Sequence, residues 1–247
     1  MEDIIKNPVG DRLKAWHGED WHTAKGRIIR DIVYAVDTGL VTTVSFLAGV
    51  SVSLISRNKV VLAGLIQVFS GTLAIFFGSY ISTKAQKHFF ENQIEREKKE
   101  IEEDPQKETQ EIRTIFHGMG FSEEEQEIAV KRITQNKTRW LNFMIQEEIG
   151  ISPGLIDDPL EIGLVSAASF IVGALPAILP FLIFDSIKLA ITVSALFVMV
   201  FLFILGVTKT RFTKLHWLSS GAETLLFGIF SCGAGFALGR LIAEYFH

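Results

Sequence analysis

Residues 60–104 read VVLAGLIQVFSGTLAIFFGSYISTKAQKHFFENQIEREKKEIEED. The first 24 of them, 60–83, contain no Asp, Glu, Lys or Arg. At 1.5 Å per helical residue this run reaches across a roughly 30 Å hydrocarbon core. The remainder alternates acidic and basic side chains with isolated apolar ones, in no pattern that a bilayer tolerates. One stretch therefore predicts a helix that crosses a membrane and then continues into water.

Working outward, four more apolar segments occur, at 31–56, 160–184, 187–207 and 217–243. The chain is 48% hydrophobic with a mean hydropathy of +0.31, yet 21% of it is charged, so the two kinds of residue are segregated rather than mixed. That segregation predicts an all-α polytopic membrane protein, five transmembrane helices with a helical domain inserted between the second and third. The expected divisions are an interfacial N-terminal segment over 1–30 carrying Trp16 and Trp21, helices one and two over 31–83, a glutamate-rich helical domain over 84–158, and helices three to five over 159–247.

Lys and Arg set the orientation. Six precede the first span, eleven lie between spans two and three and three between spans four and five, against four on the opposite side: Arg57, Lys59, Lys188 and Arg240. The positive-inside bias puts the N-terminus and the 84–158 domain in the cytosol. A net charge of −4 with interleaved signs lacks the basic patch of a nucleic-acid binder. The single cysteine, Cys232, has no intrachain partner and reads as a packing residue. The polar N-terminus does not read as a secretory signal peptide.

Gly64, Gly71 and Gly78 recur at intervals of seven in the second span, a pattern that lets a neighbouring backbone approach. Gly173, Pro176 and Pro180 predict a kinked third span whose freed carbonyls face protein or water, a candidate cavity wall. In the inserted domain, Asp104 and Pro105 form an N-cap and first-turn proline, Ser122 with Glu125 a capping box, and Asn136 a restart into a helix through Trp140 and Met144.

Glu97 and Glu100 are three residues apart on one helix, and Glu108 and Glu111 repeat the spacing on the next. Each pair presents two carboxylates in one direction, and the break at Pro105 can fold the pairs together. Glu147 and Glu148 arrive from the last helix of the domain, with Met144 one turn before Glu148. Carboxylates with a thioether suit a transition metal such as ferrous iron better than magnesium or calcium. The same spacing also fits a solvated helix face laced with i to i+4 pairs, because lysines and arginines stand among the glutamates. A di-iron oxidase asks for Glu-x-x-His on two helices, and neither His88 nor His117 has a glutamate three residues earlier. No enzymatic centre and no prosthetic group are read from the sequence.

Ionisable residues inside spans are functional candidates. Asp37 lies in the first span, followed by Thr38, Gly39, Thr42, Thr43 and Ser45, and Glu223 lies early in the fifth. Either carboxylate can line an ion path or reach the interface.

With these residues in view, the chain resembles the vacuolar iron transporter family over nearly its whole length. The resemblance rests on RDIVYAVDTGLVTTVSFLAGVS (30–51), FSGTLAIFFGSYIS (69–82), EREKKEIEEDPQKETQEI (95–112), RWLNFMIQEEIGI (139–151) and GALPAILPFLIF (173–184). It implies five spans, a homodimer with the ion path between subunits, a cytosolic metal-binding domain, and exchange of ferrous iron or other divalent metals for protons. The family's ligands fall on Glu97, Glu100, Glu108, Glu111, Met144 and Glu148, each of the expected type. The path matches less closely. The family's aspartate before the first-span glycine is Thr38 here, with Asp37 one residue earlier and about 100° round the helix. Ile75 stands where the family has a path methionine, and Ser79 where many relatives have a glutamate.

The resulting expectation is a proton-coupled exporter of ferrous iron or manganese, with zinc as a further cargo candidate. Its membrane would be the plasma membrane of a prokaryote or a vacuolar store of a eukaryote. The alternative is a membrane-anchored metal buffer or sensor whose path has lost its ligands.

Overall fold

A computed structural model describes residues 25–53, 56–150, 156–213 and 216–246. The N-terminal residues that carry Trp16 and Trp21 lie outside it. The described residues form eight helices and no strand: α1 Lys25–Ser53, α2 Arg57–Glu103, α3 Pro105–Gly118, α4 Glu123–Thr134, α5 Lys137–Glu147, α6 Pro159–Ile183, α7 Ile187–Thr213 and α8 Trp217–Phe246. Five of them, α1, α2, α6, α7 and α8, are long and apolar enough to cross a membrane. The described residues separate into two compact units, one within 27–80 and 160–246, the other within 25–26 and 81–159.

The helix expected from the opening stretch is continuous for 47 residues, about 70 Å at 1.5 Å per residue. No helix-breaking residue interrupts it between the apolar run and Asp104, so backbone hydrogen bonding continues while the solvent preference of the side chains changes. Asp104 then ends it: its carboxylate accepts a hydrogen bond from Lys107 N at 3.1 Å, with Pro105 in the first turn of α3. The capping box of α4 forms as expected, Ser122 Oγ accepting from Glu125 N and the Glu125 carboxylate accepting from Ser122 N at 2.8 Å. Asn136 caps α5 by accepting from Arg139 N at 3.0 Å. Gly120 and Gly150 take φ of +88° and +72°, the left-handed conformation that ends α3 and α5 without a Cβ clash.

In the membrane-helix unit, α1 supplies Leu40, Val44 and Leu47 to a core completed by Val60 of α2, Ala177, Ile178 and Phe181 of α6, and Ala190, Val198 and Leu202 of α7. Close approach is made by backbones. A methyl added at Gly39 would overlap Phe170 O, and one at Gly173 would overlap Val36 O, so α1 and α6 cross with only hydrogens between them. Gly49 and Gly239 make a second such crossing, of α1 with α8. The spaced glycines of α2 act differently from expectation. Gly64 meets the Leu47 and Ile178 side chains and Gly71 receives the Phe170 ring, so these two accept knobs rather than a neighbouring backbone, whereas Gly78 has open space.

Both prolines of the third span lie inside α6. Three carbonyls of its C-terminal half take side-chain donors: Ser194 Oγ donates to Ala177 O at 2.7 Å, and Arg57 donates to Phe181 O at 3.2 Å and Leu182 O at 2.7 Å. Arg57 Nη1 also lies 3.2 Å from Asp185. Helix α6 is thus capped at its C-terminus by a cation from the start of α2, which the helix dipole favours.

Candidate metal centre

The smaller unit folds around Ile94 and Ile101 of α2, Ile112 of α3, Val130 and Ile133 of α4, and Trp140, Leu141, Met144 and Ile145 of α5. Ile94, Glu97 and Ile101 follow i, i+3, i+7, so Glu97 shares the inward face of α2. Glu108 and Ile112 are one turn apart on α3, and Met144 and Glu148 one turn apart on α5. Packing the apolar residues together therefore carries Glu97 and Glu108 inward and sets Glu148 beside them at the solvent-facing edge.

Ligand oxygens of Glu97, Glu108 and Glu148 lie within 4.8 Å of one another. Glu97 is 3% exposed and Glu108 0%, whereas Glu148 is open to solvent. Oε1 of Glu97 and both oxygens of Glu108 are buried without a hydrogen-bond partner. The nearest cation is Lys107, whose Nζ is 3.5 Å from Glu108 Oε1 and 3.0 Å from Glu111. Sequence reading did not single out Lys107, although its i to i+4 spacing from Glu111 was visible.

Electrostatics follows from this crowding. Burial, and then repulsion from Glu148, Glu108 and Glu100, pushes the Glu97 carboxyl from an ordinary 4.5 up to about 8. Burial, reinforced by Glu111 and opposed by Lys107, raises Glu108. Glu148 is raised by burial and by Glu111, Glu108 and Glu100. A divalent cation among the three oxygens would relieve both the desolvation and the repulsion, and it would displace protons as it entered.

The other expected ligands stand further out. Glu100 is paired with Arg96 at 3.0 Å and Glu111 with Lys107, so each is held by a cation on its own helix while adding negative charge to the trio. Met144 is 0% exposed in the apolar core. Glu147 is exposed.

In the membrane-helix unit the candidates do not converge. Asp37 is half-buried, and the cation that acts on it is Lys209 of α7. Thr38 Oγ1 donates to Tyr34 O at 2.7 Å. Glu223 is exposed on α8. Ile75 packs with Phe170, Ala174 and Ala35, a side chain suited to that apolar contact and unable to ligate a metal. Sequence reading passed over Gln67, the one amide in the 60–83 run, which bonds to both Thr42 and Thr43.

Comparison with known proteins finds relatives over nearly the whole chain. The family model described as "VIT family" matches residues 29–240. "Vacuolar iron transporter 1" of Arabidopsis thaliana is 27% identical over 226 residues, 92% of this chain and 90% of that protein. "Vacuolar iron transporter 2" of Oryza sativa subsp. japonica is 26% identical over 242 residues, 98% of each. "Vacuolar iron transporter" of Plasmodium falciparum (isolate 3D7) is 27% identical over 235 residues, 92% of this chain and 86% of that protein. With a family match that includes all five membrane-length helices and the three clustered glutamates, this integral membrane protein belongs to the vacuolar iron transporter (VIT) family.

Proposed function

We propose that this chain is a divalent-metal transporter that moves ferrous iron, or manganese, out of the cytosol in exchange for protons. The single observation that carries the reading is the meeting of Glu97, Glu108 and Glu148 within 4.8 Å, two of them buried and without hydrogen-bond partners. Three raised carboxyls kept together in a protein that names itself by no enzyme motif are best explained by a cation that they hold and release.

In this reading Glu97, Glu108 and Glu148 capture the metal on the cytosolic side. Glu100 and Glu111 deepen the negative potential and Met144 lends a soft edge that favours iron over magnesium. Asp37 serves as an entry ligand or proton-coupled carboxylate. The relatives' names support iron as cargo and a vacuolar membrane as the location. Family resemblance adds a homodimer as the working unit.

A second reading is a metal buffer or sensor that does not transport. It is favoured by Ile75, packed against Phe170, and by Asp37, whose charged neighbour is Lys209. The two readings separate in sealed liposomes with an imposed proton gradient. Gradient-dependent uptake of Fe2+ or Mn2+ that falls in a Glu97→Gln, Glu108→Gln, Glu148→Gln variant supports the transporter. Binding without uptake supports the buffer and overturns the transporter.

A further inference from the structure

Among the described residues, Lys107 is the cation within ion-pair distance of the glutamate trio. Its Nζ stands 3.5 Å from Glu108 Oε1, an oxygen otherwise without a partner, and 3.0 Å from Glu111 Oε1 one turn further along α3. Glu108 is wholly buried, whereas the lysine side chain is 58% exposed, so the ammonium meets the cluster from its solvent side. Local helix stability does not explain a lysine here. Lys107 lies in the first turn of α3, three residues after the Asp104 cap, where the positive end of the helix dipole disfavours a cation. An exposed i to i+4 pair with Glu111 returns little, and lysine before glutamate is the weaker order. The ligand set implied by the family resemblance contains no cation.

The cluster itself supplies a reason. Glu97 and Glu108 bury three unpartnered oxygens between them, and Glu148 comes within 4.8 Å of both. One positive charge beside Glu108 offsets part of that repulsion. Because the ammonium is tethered to the same helix, its effective concentration at the cluster exceeds that of a free ion. A free monovalent cation that displaced it would bring the same charge and lose the tether. A divalent cation brings twice the charge, and Coulomb energy scales with the product of charges, so it alone gains by the exchange. The displaced ammonium is not stranded, since its contact with Glu111 is already made and its four-carbon stem is flexible.

From this geometry we propose that Lys107 is a specificity-determining residue, a tethered cation that covers Glu108 in the metal-free domain, withdraws to Glu111 when a divalent cation enters, and holds off monovalent cations. Glu111 is then the resting partner of the lysine. The lysine weakens capture and speeds release, because each ion that binds has to displace it and each ion that leaves is replaced by it. The proposal rests on the reading of the glutamate trio as a metal site, and it is independent of whether the membrane helices transport.

The test is calorimetric titration of the full-length protein with Mn2+, in KCl and in choline chloride at equal ionic strength. The trio's share is the binding that Glu97→Gln, Glu108→Gln, Glu148→Gln removes. Wild type is expected to bind equally in the two salts. Lys107→Gln keeps the Asp104 cap, which uses the backbone N, and should bind Mn2+ about tenfold tighter in choline chloride, the order expected when one charge is removed a few ångströms from a divalent ion in a high-dielectric setting. In KCl that gain should shrink, because K+ now enters the uncovered cluster. Lys107→Arg, which keeps the charge, should behave as wild type in both salts. A Gln variant that matches wild type, or that gains equally in both salts, overturns the role of Lys107 and leaves the trio as a metal site. Wild-type protein that binds no Mn2+, or whose binding survives the triple Gln variant unchanged, overturns the metal reading, and the proposal falls with it.

Discussion

Glu108 shows what a single residue contributes. Its carboxylate is wholly buried, lacks a hydrogen-bond partner and has only Lys107 to oppose Glu111 and Glu100. Glu108→Gln removes a charge that the folded state does not solvate, so the metal-free protein is expected to melt higher by about 1–3 kcal/mol of added stability. The same change should weaken Mn2+ binding by about 100-fold. Calorimetric melting and titration calorimetry read the two effects separately, and an unchanged affinity would remove Glu108 from the ligand set. The pH dependence belongs to this scale as well. Folding raises Glu97 from 4.5 to about 8, so the unfolded chain loses this proton first. The stability of the metal-free fold is therefore fullest below pH 4.5 in this term and drains away as the pH climbs through 8. Metal affinity runs the opposite way, gaining about tenfold per pH unit up to that value for each proton displaced. A Mn2+ affinity that is flat between pH 6 and 8 would show that Glu97 binds no proton in the apo protein.

Elements hold these residues through their ends and crossings. The break at Asp104 and Pro105 turns the chain so that Glu97 on α2 and Glu108 on α3 meet, and the Asp104 cap on Lys107 N stabilises that break. Asp104→Ala is expected to cost about 1 kcal/mol, read as a lower melting temperature of the full chain, with metal affinity falling in step. In the membrane-helix unit the limiting feature is backbone proximity. A side chain at Gly173 meets the Val36 backbone, which cannot move as a flexible side chain could. Gly173→Leu should therefore separate α1 from α6 and destabilise the protein by about 3 kcal/mol or more, seen as loss of the folded monodisperse species in detergent. Gly78→Ala, where nothing lies within 4 Å, is the matched control and should be silent. The caps were legible in sequence because they act over three or four residues. The partners of Gly39 and Gly173 were not, since they lie more than 100 residues apart in the chain.

At the scale of the whole molecule, the two units differ in what stabilises them. One has a core of aliphatic side chains and glycine crossings, the other a small core with an electrostatic fault at its centre. The stabilising response expected from the glutamate cluster belongs to the second. Mn2+ at 100 times its dissociation constant for the three-glutamate site is expected to stabilise the unit that holds Glu97, Glu108 and Glu148 by about 2.7 kcal/mol, a gain that the triple Gln variant should lack. The sequence by itself determined the all-helical class, the five membrane-length helices, the positions of the caps and the pool of acidic residues. Each of these follows from composition over a short window, where hydropathy and local hydrogen bonding act without reference to distant residues. Tertiary structure alone decided which carboxylates meet. Of the glutamates at 97, 100, 108, 111, 147 and 148, all similar in sequence context, three converge: Glu97 and Glu108 turn inward because they share helix faces with Ile101 and Ile112, and Glu148, one turn from Met144, meets them from the exposed side. It also decided that Asp37 has Lys209 for its charged neighbour, that Gln67 bridges to Thr42 and Thr43, and that Ser45 has no partner. Those facts depend on how helices distant in sequence rotate against one another, and the close backbone crossings that set the rotation exist only in the folded chain.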